Sequence, residues 1–181
     1  MIPDEREALA LHKKYGSNDR IVRHCQASAK LARIISEAAL ANGNHLDEKA
    51  VIAGALLHDI GRSRTQTVSH GYVGAEILQM EGIDMAVVEI ARRHVGAGIS
   101  KEEARALGFP EGDYVPGTLE EKIVCFSDKM LDGENARPFE EEVKRFVRKV
   151  SVSRQPKQDR MIPMGMAYLM RMILVRMRQG I

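Results

Sequence analysis

The chain contains no tryptophan, and only four phenylalanines and four tyrosines. Proteins that grip unpaired bases do so on flat aromatic faces, so this scarcity argues against a single-strand nucleic-acid platform. The net charge of +2 is also too small to call for nucleic acid by itself. Cysteine is sparse: Cys25 and Cys125 form no CxxC pair, and a lone disulfide is not expected in a cytosolic protein. No apolar run approaches the ~18 residues of a membrane-spanning helix. The opening Met-Ile-Pro-Asp-Glu-Arg-Glu is acidic and mixed, unlike a signal peptide. These absences leave a cytoplasmic globular protein as the expectation.

What is present is mostly helical signal. With 181 residues, 44% hydrophobic and 29% charged, the chain suits one domain with a real core. A first helix runs from Pro3 to Lys14 and stops at Gly16. Ser17, Asn18 or Asp19 caps a second that reaches Asn42 and Gly43, with Ile21, Cys25, Ala29, Ala32, Ile35 and Ala39 at helical spacing. Asp47 opens a third, stopped by Gly61. A polar loop follows, then a fourth helix after His70 ending near Gly82, and a fifth capped by Asp84 and reaching His94. Ser100-Lys-Glu-Glu103 and Thr118-Leu-Glu-Glu121 are capping boxes separated by a long loop over residues 108–117. Pro138 starts a further helix, and Met164 to Met177 reads as the last. No strand alternation is found. The expected fold is all-α, divided as an N-terminal helix (1–17), a main domain (18–135) and C-terminal helices packing on it (136–181).

The C-terminal third is acidic at Glu140 to Glu142 and basic thereafter, which suits a helix dipole. Its methionines, Met161, Met164, Met166, Met170, Met172 and Met177, suit adaptable core or homodimer packing more than a ligand box. Contact of this basic segment with RNA or a membrane surface is the lesser reading.

The chemistry concentrates in Ala53-Gly-Ala-Leu-Leu-His-Asp-Ile-Gly-Arg62, where His58 and Asp59 close an apolar helical run. A buried imidazole and carboxylate cost free energy unless something pairs with them, and a metal cation is a strong candidate. His24, His70, His94 and Asp128 sit beside apolar positions of their own helices, so all should converge on the core. Each has a plainer role taken singly: a hydrogen-bonded core histidine for His24, a helix-start polar group for His70, a C-terminal dipole partner for His94, a solvated residue for Asp128. Together, four imidazoles and two carboxylates are enough for two divalent ions, and the donor set suits iron, manganese, zinc or nickel better than magnesium or calcium. His12, in a charged helix, and His45, in a turn, are left out. Cys25 and Cys125 read as buried apolar thiols.

In this order, His24, His58-Asp59 and Asp128 resemble the HD-domain superfamily of metal-dependent phosphohydrolases, and His58-Asp-Ile-Gly61 resembles its HDIG variant. His70-Gly-Tyr-Val-Gly-Ala75 and Ile90-Ala-Arg-Arg-His94 are similar to the segments that supply the second metal in the two-metal branch. The resemblance implies an all-α HD fold over roughly residues 18 to 132, with His24, His58, Asp59 and Asp128 on the first metal, His70 and His94 on the second, and Asp59 bridging. The Asp128-Lys129 pair is similar to bacterial dinucleoside tetraphosphate hydrolases, whereas length and the Gly96-Ala-Gly-Ile99 loop are closer to small archaeal HD proteins, one of which opens a pterin cyclic phosphate. Gly71-Tyr-Val73 departs from the Gly-Tyr-Pro of signalling phosphodiesterases, which argues against a cyclic dinucleotide.

The implied activity is hydrolysis of a small nucleotide-like phosphodiester or cyclic phosphate by a hydroxide held between two ions, with Asp59 orienting it. Arg62, directly after the motif, is the expected catalytic cation and phosphate ligand. Arg64, Arg93 and Lys129 are further substrate-binding candidates, although Lys129, adjacent to Asp128 on a helix, should turn away by ~100°. Two other functions stay open: a mononuclear nucleotide phosphomonoesterase, and a metal-stabilised binding module without turnover.

Overall fold

The computed structural model describes residues 1–96 and 98–136. The segments anchored at Pro138 and at Met164–Met177 lie outside the described residues. Helix by helix, the caps fall where the side chains dictate. Asp4 and Glu7 form a capping box that starts α1, Glu5–Tyr15, and Gly16 ends it in the left-handed conformation. Asn18 caps α2, Asp19–Ala41, and Asp47 caps α3, Glu48–Leu57. Then come α4, His70–Met80; α5, Met85–Arg93, capped by Asp84; α6, Lys101–Ala106; and α7, Leu119–Lys129, the last two opened by the boxes at Ser100 and Thr118. The fold is all-α, as the periodicity implies.

Two local features differ from expectation. The third helix does not run to Gly61: it ends at Leu57, and Ile60–Ser63 forms a 3-10 turn. The chain also makes a small antiparallel hairpin, β1 (Leu131–Asp132) and β2 (Asn135–Ala136), joined through Gly133 at φ +64°. Two-residue strands are too short to show alternation, and only Gly133, first residue of the two-residue loop, marks the hairpin.

α3 is the buried axis. Seven of its ten residues are buried. It is flanked by α2, α5 and α7, with α1 across its C-terminal end. Val51, Leu56, Leu57, Ile60, Leu78, Val87, Val88 and Val124 form the center of the core, and Ala8 of α1 belongs to it. Close approach of the helices relies on glycine: a Cβ on Gly54 would lie 2.6 Å from Ile90, and one on Gly71 2.6 Å from Val95. Among the described residues, no helix is long and apolar enough to cross a membrane.

The end of α3 shows how the core presents its polar pair. A helix leaves its last carbonyls without helical partners. Here His58 Nδ1–H donates to the Ala55 carbonyl at 2.8 Å, and His12 Nε2–H donates to the Leu56 carbonyl at 2.7 Å. His12 is therefore no surface residue of a charged helix; it is buried, receives Ser17 Oγ–H on Nδ1 at 2.8 Å, and ties α1 to α3. Replacing His12 with alanine leaves a cavity and an unpaired buried carbonyl, an expected loss of about 3 kcal/mol in denaturant unfolding.

Candidate metal centre

Six side chains from five places in the chain meet in one buried cluster. His24 comes from the second turn of α2, His58 and Asp59 from the end of α3, His70 from the first residue of α4, His94 from the C-cap of α5, and Asp128 from the last turn of α7. These are the six residues expected from the sequence, and three subsets have ligand atoms mutually within 4.8 Å: His24, His58 and Asp59; His58, His94 and Asp128; Asp59, His70 and His94.

All four imidazoles are oriented the same way. His24 Nδ1–H donates to the Gly133 carbonyl at 2.7 Å, His58 to Ala55, His70 to Thr67 at 2.7 Å and His94 to Ala91 at 2.8 Å. A carbonyl only accepts, so each Nδ1 carries a proton and each Nε2 points inward, with a lone pair to offer a cation when the ring is neutral. Those nitrogens face carboxylates and one another. His24 Nε2 is 2.9 Å from Asp128 Oδ1, and His58 Nε2 is 3.7 Å from Asp128 Oδ1 and 3.8 Å from Asp59 Oδ2. His70 and His94 Nε2 are 3.2 and 3.4 Å from Asp59 Oδ1, and 3.1 Å from each other. His58 Nε2 and Asp59 Oδ1 are buried with no hydrogen-bond partner. Buried acceptors facing acceptors are costly unless cations lie between them, so the residues fit divalent metal.

Electrostatics agree. Burial alone would raise the Asp59 carboxyl, but the charge of His58 and the adjacent rings of His70 and His94 overcome it and hold the group well below the usual carboxylate range. Burial also opposes ionisation of Asp128, and Lys129 first, then His24 and His58, holds it low. His94 is pushed down to about 4, by burial and then by the charges of His58 and His70, so it stays neutral as a ligand must. His58 moves the other way: against burial, Cys25, Asp59 and Asp128 raise it well above its ordinary value. The cluster thus favours positive charge at His58, which a proton supplies in the metal-free protein and a metal ion could supply in its place.

Of the cationic candidates, two reach the cluster. Arg62 Nε donates to Asp59 Oδ2 at 2.7 Å from a side chain that is 30% exposed. Lys129 does not turn away as helical adjacency predicts. Its flexible stem folds back so that the ammonium contacts Asp128 and lies 3.4 Å from the His94 carbonyl. The structure places the other two elsewhere. Arg64 lies over the ring of Tyr15, 5.5 Å from its centroid. Arg93 binds Glu121 at 3.0 Å and Glu89 at 2.9 Å, tying α5 to the start of α7. The Gly133 carbonyl that orients His24 was not legible in sequence, since it is a backbone atom 109 residues away. Cys25 and Cys125 are buried free thiols, as expected. His12 and His45 stay outside the cluster.

Comparison with known proteins bears on this geometry. A family model described as HD domain matches residues 21–132. A tRNA (cytidine(56)-2'-O)-methyltransferase of Thermoplasma volcanium is 43% identical over 149 residues, covering 82% of this chain but only 43% of the relative. The chain thus spans about two fifths of that enzyme's length. An uncharacterised protein of Methanocaldococcus jannaschii is 44% identical over 144 residues, covering 80% of this chain and 85% of the relative. Among solved structures, the HD domain of the Listeria monocytogenes phosphodiesterase PgpH is similar, with a TM-score of 0.54 at 19% identity, covering 91% of this chain and 98% of that one. At this identity the likeness concerns the fold.

Proposed function

The chain belongs to the HD-domain family, and we propose that it is a metal-dependent phosphohydrolase cleaving a small nucleotide-like phosphodiester or cyclic phosphate. The observation that carries this reading is the set of four inward-facing Nε2 atoms around two carboxylates, with His58 Nε2 and Asp59 Oδ1 buried and unpartnered. His24, His58 and Asp128 would hold one ion, His70 and His94 a second, and Asp59 would serve both. Two ions so held would supply a water of lowered pKa and positive charge for the phosphoryl oxygens.

The protein's own groups do the rest. The four Nδ1–H bonds hold the imidazoles in the ligating tautomer. Arg62 fixes Asp59 through Nε, and its guanidinium would offer a cationic fork to a bound phosphate. Lys129 balances the charge of Asp128.

Elemental analysis of protein purified without chelators tests the reading directly. About two transition-metal ions per chain are expected, together with hydrolysis of bis(p-nitrophenyl) phosphate or a nucleoside cyclic phosphate. Protein that takes up no metal on reconstitution overturns it. His70→Ala and His94→Ala separate one metal from two: full activity with one ion would favour a mononuclear phosphomonoesterase. Arg62→Ala is expected to raise KM and lower kcat, about 10²-fold together in kcat/KM.

A second reading of the substrate follows from the relative whose name is a tRNA methyltransferase and which is more than twice the length of the shared part. In that setting the phosphoester would be carried by RNA or released from it. Assaying a nucleotide cyclic phosphate at an RNA end beside the free nucleotide distinguishes the two.

Metal binding should also depend on pH in a defined direction. In the metal-free protein the raised His58 contributes stability that is fully present below its unfolded value near 6.5 and is lost as pH rises through its folded value. Metal requires the same nitrogen deprotonated. The difference in Tm between zinc-loaded and metal-free protein is therefore expected to widen from about pH 6 to about pH 8, measured by calorimetry.

A further inference from the structure

Three of the four ring-orienting acceptors are local. Ala55, Thr67 and Ala91 each precede their histidine by three residues, so forming the helix end or turn places them automatically. His24 is different. It sits inside a helix whose neighbouring carbonyls are already used, and its Nδ1–H partner is Gly133, in the hairpin after α7. His24 is also the most exposed of the four imidazoles, at 16%. Its orientation thus depends on a two-stranded hairpin staying against α2.

Two contacts and a tight turn keep the hairpin there. Leu131 is buried, lining with Ala27 and Leu31 the groove between the hairpin and α2. Gly133, at φ +64°, makes the turn that carries the accepting carbonyl, and no atom lies within 4 Å of where its Cβ would stand. Arg23, the residue before His24, binds Glu134, the residue after Gly133, with Nε to Oε1 at 2.5 Å. The ion pair and the His24–Gly133 bond are therefore consecutive rungs between the same two segments.

We infer that the hairpin of residues 131–136 is a positioning element for the first metal, with Arg23 and Glu134 as the positioning residues that act through His24. The inference rests on the proposed metal site. Partners of a ligating imidazole tune metal affinity by about 10- to 100-fold. An exposed ion pair contributes little to folding, its side chains here being 53% and 47% accessible, so its removal should leave the fold intact.

The test is zinc titration of the full chain, following the binding step that His24→Ala abolishes. Arg23→Ala and Glu134→Ala are each expected to raise the Kd of that step about 10-fold and leave the other step unchanged. The charge-exchanged double variant, Arg23→Glu with Glu134→Arg, should return it towards wild type. In the zinc-loaded protein the His24 Nδ1–H proton should exchange with solvent faster in the single variants, which a purely structural ion pair would not cause. Single variants with unchanged affinity and exchange overturn the inference, as does weakening that the charge exchange fails to reverse. Two zinc ions in a wild type indifferent to these changes remove the hairpin's role alone; a wild type that takes up no zinc removes the metal site and this inference with it.

Discussion

Asp59→Asn is expected to reduce phosphodiester hydrolysis by about 10³-fold or more and to lower the metal content of the purified protein. Asp59 is the one ligand whose two oxygens face different histidines: Oδ1 lies 3.2 and 3.4 Å from His70 and His94, and Oδ2 lies 3.8 Å from His58. An amide keeps the shape but presents one oxygen and one NH₂ donor, so one of the two faces meets a group that cannot ligate. The carboxylate's charge also sets the neighbouring titrations. Its loss removes part of what raises His58, so the variant's His58 should titrate closer to its ordinary value in NMR. Circular dichroism should be unchanged, because the apolar core does not depend on the charge. Full metal content with normal turnover in Asp59→Asn would contradict the bridging role.

Gly61→Ala is expected to be the most destabilising single-methyl change in the described part of the protein, costing about 4 kcal/mol or more and leaving little folded material. A Cβ at Gly61 would lie 2.0 Å from the His70 carbonyl oxygen and 2.6 Å from the Gly74 nitrogen. Both are backbone atoms of α4, so no rotamer change relieves the clash, and any shift of α4 carries His70 away from Asp59. Gly16→Ala is the control. Gly16 has φ +68° with nothing within 4 Å of the added methyl, so only the left-handed conformation is penalised, by about 1 kcal/mol. Chemical denaturation of both variants, with metal content measured on what folds, compares steric exclusion with conformational strain. Equal losses in the two would mean that α4 does not press on the 3-10 turn as described.

Much of the frame around these positions is set locally. The caps at Asp47, Asp84, Ser100 and Thr118, and the stop at Gly16, are legible in sequence because each is decided by a side chain within three or four residues of the backbone group it satisfies. Three of the four histidines are oriented by the same short-range logic, and His58, His70 and His94 accordingly stand at helix ends. The six-residue donor set could be named in chain order because several imidazoles and carboxylates on apolar helix faces are too costly to bury together without cations among them.

Packing decided what those donors face. Lys129 reaches back to Asp128 through a four-carbon stem, which the ~100° separation on a helical wheel does not anticipate. Arg93 and Arg64, similar on paper to Arg62, are taken by Glu121 with Glu89 and by the Tyr15 ring. His12, left out of the donor set as a residue of a charged helix, closes the end of α3 from another helix. The donor residues, their order and most helix caps follow from the sequence by itself, because nearest-neighbour chemistry sets them; the end of α3 at Leu57 does not. The pairing of His24 with the Gly133 carbonyl and the division of arginines between site and scaffold belong to the tertiary structure, because they join groups far apart in the chain that only the docking of α2, α5 and α7 around α3 brings within hydrogen-bonding distance.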